Sequence, residues 1–144
     1  MASAFAAVFT AFVLLGGVAA SPPCQAALGK AFRLRVGESA RVEKEALEVG
    51  FQDVPADSRC PKGEQCIREG EAIVRVWFQK GDQARETLEL RTSPKEAGVA
   101  GAGGFEVRLL HLDPYPVTGR TLERGQYVAT LELSRGSGAS SESR

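Results

Sequence analysis

The sequence predicts an all-β fold: an antiparallel β-sandwich of the immunoglobulin-like kind with six to seven strands, with a small β-barrel as the alternative. Several segments alternate apolar and polar residues with a period of two, as strands do when one face lies on a core. Glycine, proline and aspartate separate these segments, as in turns. The chain has 144 residues, enough for one domain with one hydrophobic core.

Six segments carry the alternation clearly, and each gives a predicted strand. The third, EAIVRVWFQK, is also rich in β-branched and aromatic residues, and the fourth returns as its hairpin partner after Gly81-Asp82. The residues predicted to face the core, strand by strand, are Phe32, Leu34 and Val36; Leu47, Val49 and Phe51; Ala72, Val74, Val76 and Phe78; Leu88 and Leu90; Phe105, Val107 and Leu109; and Tyr127, Ala129, Leu131 and Leu133.

Four stretches break the pattern. Residues 41–46 fit a helical turn or, preferably, a strand extension or hairpin edge, which would be the seventh strand. Residues 93–104 contain AGVAGAGG without any period and predict a mobile loop. The adjacent leucines Leu109 and Leu110 interrupt the alternation and indicate a bulge or a change of sheet near Leu110. The segment 113–116, DPYP, must leave the sheet because neither proline can donate a backbone hydrogen bond.

The amino-terminal segment predicts a secretory signal. Its first twenty residues have no charged side chain, and the apolar run Phe5–Leu15 is too short to span a bilayer as a helix. Small residues then place the expected cleavage after Ala20, leaving no transmembrane span in the mature chain. The predicted organisation is a signal peptide over 1–20, a flexible arm over 21–29, one β-sandwich domain over 30–133 and a disordered tail over 134–144.

The charge balance argues against one class of partner. Eighteen basic and eighteen acidic side chains cancel, so no net positive field attracts nucleic acid. Nucleic-acid binding is therefore not predicted.

Export would place the three cysteines in an oxidising compartment. Cys60 and Cys66 are close enough in sequence to pair across a tight loop, and closing that ring stabilises the fold by about 2 kcal/mol. Cys24 is then left over. For Cys24 a free or intermolecular thiol is favoured over a lipid anchor, because Pro22 and Pro23 precede it rigidly.

The stretch DSRCPKGEQCIREGEA resembles the signature D-S-R-C-P-x4-C-x-W-x-G-x-A of a family of small exported or lipid-anchored bacterial proteins of unassigned function. Arg68 stands where that signature has tryptophan. The resemblance covers roughly residues 32–133 and implies a secreted β-domain with this loop as its hallmark, without implying a chemistry. The matching positions are Asp57, Ser58, Arg59, Cys60, Pro61, Cys66, Gly70 and Ala72.

The predicted function is a non-enzymatic binding or structural domain of the bacterial cell envelope, periplasmic or extracellular, that presents the disulfide-constrained loop to a protein or glycan. Rigid charged loops on β-scaffolds commonly carry recognition. Neither catalysis nor a cofactor is predicted, because the only histidine, His111, has no nucleophile at a suitable spacing. The candidate binding residues in the loop are Asp57, Arg59, Pro61, Lys62 and Arg68.

Two alternative functions also rest on this loop. A substrate-like protease inhibitor would present Arg59 or Lys62 as a basic anchor from a rigid ring. A calcium-binding module would use clustered carboxylate oxygens, although cations interleave with them and no D-x-D-x-D-G loop is present. The carboxylates offered for calcium are Asp53, Asp57, Glu64, Glu69 and Glu71.

Overall fold

The computed structural model of the protein describes residues 24–93 and 98–136. The predicted signal peptide and residues 137–144 of the predicted tail lie outside these ranges. The strands are β1 Cys24–Gln25, β2 Ala31–Arg35, β3 Ser39–Val42, β4 Leu47–Asp57, β5 Ala72–Lys80, β6 Glu86–Arg91, β7 Val99–Ala102, β8 Phe105–Asp113 and β9 Val128–Arg135, and short 3-10 helices lie at Glu43–Glu45 and Arg124–Gln126.

The strands form two sheets that pack face to face, which confirms the predicted β-sandwich. The five-stranded sheet has the order β1-β3-β4-β5-β6, and the four-stranded sheet has the order β2-β9-β8-β7. Neighbouring strands are antiparallel except β1, which pairs in parallel with β3. The sheets do not close on each other, so the fold is not the barrel that the sequence left as an alternative.

The alternating residues meet between the two sheets as predicted. In β5 the four predicted inward residues are buried, while the residues between them are half-buried on the outer face. In β9 the alternation is equally regular. The fully or nearly fully buried aliphatic and aromatic side chains include Phe51, Leu34, Leu47, Leu90, Leu131, Leu133, Val49, Val74, Val76 and Val107.

The prediction of a mobile loop over 93–104 was wrong for part of that stretch. Residues Val99–Ala102 form β7, which pairs antiparallel with β8 at the edge of the four-stranded sheet. Its side chains are too small to give a polar–apolar contrast, so the strand is stabilised by backbone pairing and leaves no period in the sequence. Residues 94–97 of the same predicted loop lie outside the described ranges.

Other boundaries also differ from those predicted. β3 continues to Val42, and a 3-10 turn then leads to β4, so residues 41–46 contain both structures that the sequence allowed. Part of the predicted arm is attached to a sheet, since Cys24–Gln25 is β1, and β9 runs on to Arg135. The register shift between Leu109 and His111 confirms the predicted irregularity at Leu110.

No helix in residues 24–93 or 98–136 has the length and hydrophobicity needed to cross a membrane.

The chain's only tryptophan lies on the outer face of the five-stranded sheet, directly above a glycine of the next strand. Trp77 in β5 pairs with Gly50 in β4, and a Cβ atom on Gly50 would lie only 2.0 Å from the indole ring. On the same ring, the Arg85 guanidinium lies 3.9 Å from the centroid. The glycine is therefore required by the close approach of Trp77 to the backbone.

We predict that Gly50→Ala displaces Trp77 and lowers the free energy of unfolding by about 1–3 kcal/mol, the usual cost of overpacking. Urea titration followed by tryptophan fluorescence measures both effects, since the displaced indole also changes its emission. Gly125→Ala is the matched control because a Cβ at Gly125 meets no atom within 4 Å. Equal stabilities of the two variants would contradict this account of Gly50.

Candidate functional site

The loop that joins β4 to β5 is closed by the predicted disulfide. β4 ends at Asp57 and β5 begins at Ala72. Cys60 and Cys66 are bonded between them, with their Cα atoms 6.0 Å apart, whereas Cys24 is free and exposed on β1. We refer to residues 58–71 as the disulfide loop.

Hydrogen bonds close the base of the disulfide loop independently of the two sulfurs. The Ser58 amide donates to the Glu71 carbonyl at 2.8 Å, and the Ser58 hydroxyl both donates to that carbonyl and accepts from the Glu71 amide. The Cys60 amide donates to the Glu69 carbonyl at 2.8 Å. Gly70 completes the clasp, since its φ is +67° and a Cβ there would lie 1.7 Å from the Ser58 carbonyl oxygen.

Arg59 does not point to solvent: it is the buried charged residue of the described structure. Its guanidinium donates to both carboxylate oxygens of Asp57, at 2.9 Å and 2.7 Å. It also donates to the carbonyls of Leu112, at 2.9 Å, and Pro114, at 3.2 Å. Tyr127 donates from its hydroxyl to Asp57 at 3.0 Å. A bidentate pair with further hydrogen bonds to backbone carbonyls is the arrangement in which a buried charge is tolerated.

This network connects the two sheets. Asp57 ends β4 in the five-stranded sheet, while Leu112 lies in β8 and Tyr127 immediately precedes β9 in the four-stranded sheet. The loop base is therefore fixed to both layers of the sandwich at one end of the molecule.

The network also shifts the acidity of its members. Burial alone would raise the pKa of Asp57, but the hydrogen bonds and positive charge of Arg59 outweigh it and lower that pKa below its ordinary value. Burial, together with the hydrogen bond to the Asp57 carboxylate, raises the pKa of Tyr127 to about 12. The ionised carboxylate and the neutral phenol are thus the forms that the fold prefers.

A second contact joins the disulfide loop to the segment that follows β8. The Lys62 amide donates to the Pro116 carbonyl at 3.0 Å, and the Thr118 amide donates to the Lys62 carbonyl at 3.1 Å. Two cations lie near the Tyr115 ring, with Arg59 at 5.0 Å and Lys62 at 5.6 Å from its centroid. Asp113 still pairs within β8, and the chain leaves the sheet from Pro114 onward, which confirms the prediction for the two prolines and Tyr115.

The five candidate binding residues separate into an inner and an outer group. Asp57 and Arg59 are tied to each other inside the domain, and Pro61 is half-buried. Lys62 and Arg68 are exposed. Contact with a partner is open to the outer group, whereas the inner group holds the loop in place.

The geometry disagrees with the protease-inhibitor alternative. Arg59 is engaged inside the domain and has no free end to place in an enzyme's specificity pocket. Lys62 is exposed, but its backbone N–H and C=O already pair within the protein. A substrate-like inhibitor needs these groups to form strand-like hydrogen bonds with the enzyme.

The carboxylates proposed for calcium do not form a site. Within residues 24–93 and 98–136, no group of three histidine, cysteine or acidic side chains could hold a metal ion. Asp57 is paired with Arg59, Glu71 with Arg91, and Asp53 lies 4.0 Å from Arg75. Three of the five carboxylates are thus near arginines rather than gathered around a common point.

His111 is an exposed strand residue. Its Nε2 lies 3.7 Å from the Asp113 carboxylate.

The loop end of the sandwich also carries a feature that the sequence reading missed. All the exposed large apolar side chains of the described structure, Ile67, Leu110, Tyr115 and Val117, belong to the disulfide loop or to the segment around its contact with β8. We call these four residues the loop-end patch. The adjacent leucines at 109–110 were the available signal, because a bulge turns one of two neighbours outward.

Two open grooves are lined by three members of the loop-end patch. One, of about 400 Å³, is lined by Cys60, Glu69, Leu110 and Tyr115 among others. The second, of about 790 Å³, is lined by Ile67 and shares Glu69 and Gly70 with the first. Val117 lines neither groove, but it forms a β-bridge with Lys62 of the disulfide loop. The patch therefore surrounds the loop, and three of its four members line two adjoining grooves.

In comparisons with known proteins, no family model, no curated protein and no solved structure matches this chain.

We predict that Arg59→Leu lowers the free energy of unfolding by about 3–5 kcal/mol, because it leaves the Asp57 carboxylate buried without its cation. Arg68→Leu makes the same chemical change at an exposed position of the same loop and is expected to alter stability by no more than about 0.5 kcal/mol. Urea unfolding of both variants measures the difference. Similar losses in both would show that Arg59 does not hold the loop base.

Tyr127 gives a prediction for alkaline pH. In the unfolded chain its phenol ionises near the ordinary pKa of 10.0, whereas in the fold it ionises only near 12. Its contribution to stability is therefore complete below pH 10 and is lost as the pH rises towards 12. We expect Tyr127→Phe to remove this part of the alkaline loss of unfolding free energy, measured by urea titrations across that range. Tyr115→Phe, which removes no hydrogen bond to a carboxylate, should leave the loss unchanged.

Proposed function

We propose that this protein is a non-enzymatic binding domain exported to the bacterial cell envelope, and that the disulfide loop with the loop-end patch is its recognition surface. The observation that carries the proposal is the coincidence of two features at one end of the sandwich. The backbone there is held by a disulfide, a clasp of hydrogen bonds and a buried ion pair, and the exposed large apolar side chains gather on the same end.

Rigidity and apolar exposure together favour binding over a purely structural role. A loop with a purely structural role needs the inner residues but is not stabilised by apolar side chains that point into water. Ile67 at the loop tip is fully exposed. Clustered exposed apolar residues rimmed by polar ones are typical of interaction sites. A loop ordered before binding also loses less conformational entropy on association.

Export and the periplasmic or extracellular location belong to this proposal. Two features of the chain support it: the apolar amino-terminal segment that resembles a secretory signal, and the disulfide, a bond that persists in oxidising compartments.

Site-specific photo-crosslinking in intact cells tests the proposal. We predict that a photoreactive residue in place of Ile67 gives a defined crosslinked adduct, whereas the same residue in place of Gln83 gives none. Gln83 is exposed in the turn after β5, and the nine residues of β5 put it about 30 Å from the disulfide loop. Absence of an adduct from both positions would refute the proposed surface.

A further inference from the structure

We propose that the partner of the loop-end patch is a second copy of this chain, in a two-fold symmetric dimer. The inference rests on the proposed function, since it takes the same end of the sandwich as the recognition surface and specifies what binds there. Three properties of the surface favour a second copy over a basic or an acidic partner.

The first property is the balance of charge around the patch. Two exposed cations, Lys62 and Arg68, and two exposed carboxylates, Glu64 and Glu69, alternate along the disulfide loop. The other carboxylates at this end are already used by neighbouring arginines, as in the pairs Asp57–Arg59, Glu71–Arg91 and Asp113–Arg33. The remaining rim therefore has equal numbers of both signs, and a two-fold rotation can place cations of one copy opposite carboxylates of the other.

The second property is the absence of long-range repulsion between copies. The whole chain has a formal net charge of zero at pH 7, so two molecules approach without the barrier that net charge of one sign creates. A strongly basic or acidic partner would feel no long-range electrostatic attraction to this chain. An identical copy would feel no long-range repulsion.

The third property is the shape and hydrophobicity of the patch itself. Ile67 stands clear of the surface, and the groove beside it is lined by Leu110, Tyr115 and the Cys60 sulfur-bearing side chain. The groove also has polar lining from Glu69, Thr92 and His111. A projecting aliphatic side chain and a groove with an apolar part on the same face are complementary. In an isologous interface each copy supplies both, so that Ile67 of each enters the groove of the other.

The first test is the mass of the purified protein in solution as a function of concentration, by sedimentation or light scattering. We expect twice the chain mass at high concentration. Ile67→Lys is expected to raise the dissociation constant by about tenfold or more, because symmetry introduces the change twice in the interface. Gln83→Lys adds the same side chain at the opposite end and should leave the dissociation constant unchanged. A wild type that stays monomeric up to about 1 mM overturns the inference.

Charge exchange provides a test that a folding defect cannot imitate. A basic variant, Glu64→Lys with Glu69→Lys, and an acidic variant, Lys62→Glu with Arg68→Glu, should each be monomeric alone because their rims carry one sign. Mixed in equal amounts, they should form a heterodimer whose stability falls as salt is added. If each variant alone dimerises as tightly as the wild type, the inference is overturned.

The crosslinked adduct from position 67 separates this inference from the proposed function. An adduct with twice the chain mass and peptides of this chain alone supports the dimer. An adduct that contains a different protein overturns the dimer but leaves a binding surface at the loop end. No adduct at either position overturns both.

Discussion

The buried ion pair between Asp57 and Arg59 is the constraint on which the loop end depends. A β-sandwich is held chiefly by apolar contacts between its sheets, which fix the layers but not the direction of a loop at their edge. Here a charged pair lies at that edge and makes hydrogen bonds with Leu112 of the opposite sheet and with Tyr127, which immediately precedes β9. Hydrogen bonds are directional, so they set the position of the disulfide loop where packing alone would leave it variable.

The disulfide has a smaller part in this arrangement than its prominence in the sequence suggests. Closing so short a ring contributes about 2 kcal/mol through the unfolded chain, while the base of the loop is already clasped between Ser58 and Glu71. Lys62 is also held from the other side by Pro116 and Thr118. The bond therefore restricts the loop tip more than the loop base, and the tip is where Ile67 and Arg68 meet solvent.

The sequence predicted the strands far better than it predicted the site. Alternation located β5 and β9 closely because their side chains point in turn toward the core and away from it. The inward positions are apolar, so the period of two is visible in the sequence. β7 was not predicted because Ala100, Gly101 and Ala102 are all small and show no alternation of apolar and polar side chains. Arg59 escaped for a different reason: an arginine in a loop beside a cysteine is expected to be solvated. The backbone carbonyls that it binds, those of Leu112 and Pro114, are more than fifty residues away in the chain.

The geometry also separates the residues that build this end of the molecule from those that another molecule can touch. Of the positions that resemble the signature, Asp57 and Arg59 form the buried pair, Gly70 fits where no Cβ can, and Ala72 is fully buried. Arg68, which stands in place of the signature's tryptophan, is exposed on the outer side of the loop.

The matching positions therefore impose the shape of the loop, and a change at position 68 leaves that shape intact while altering the surface it presents. A tryptophan at position 68 would add apolar area beside Ile67, whereas Arg68 adds one of the two cations that balance Glu64 and Glu69. Under the proposed function, the choice of partner rests with exposed side chains on a scaffold held together by the buried ones.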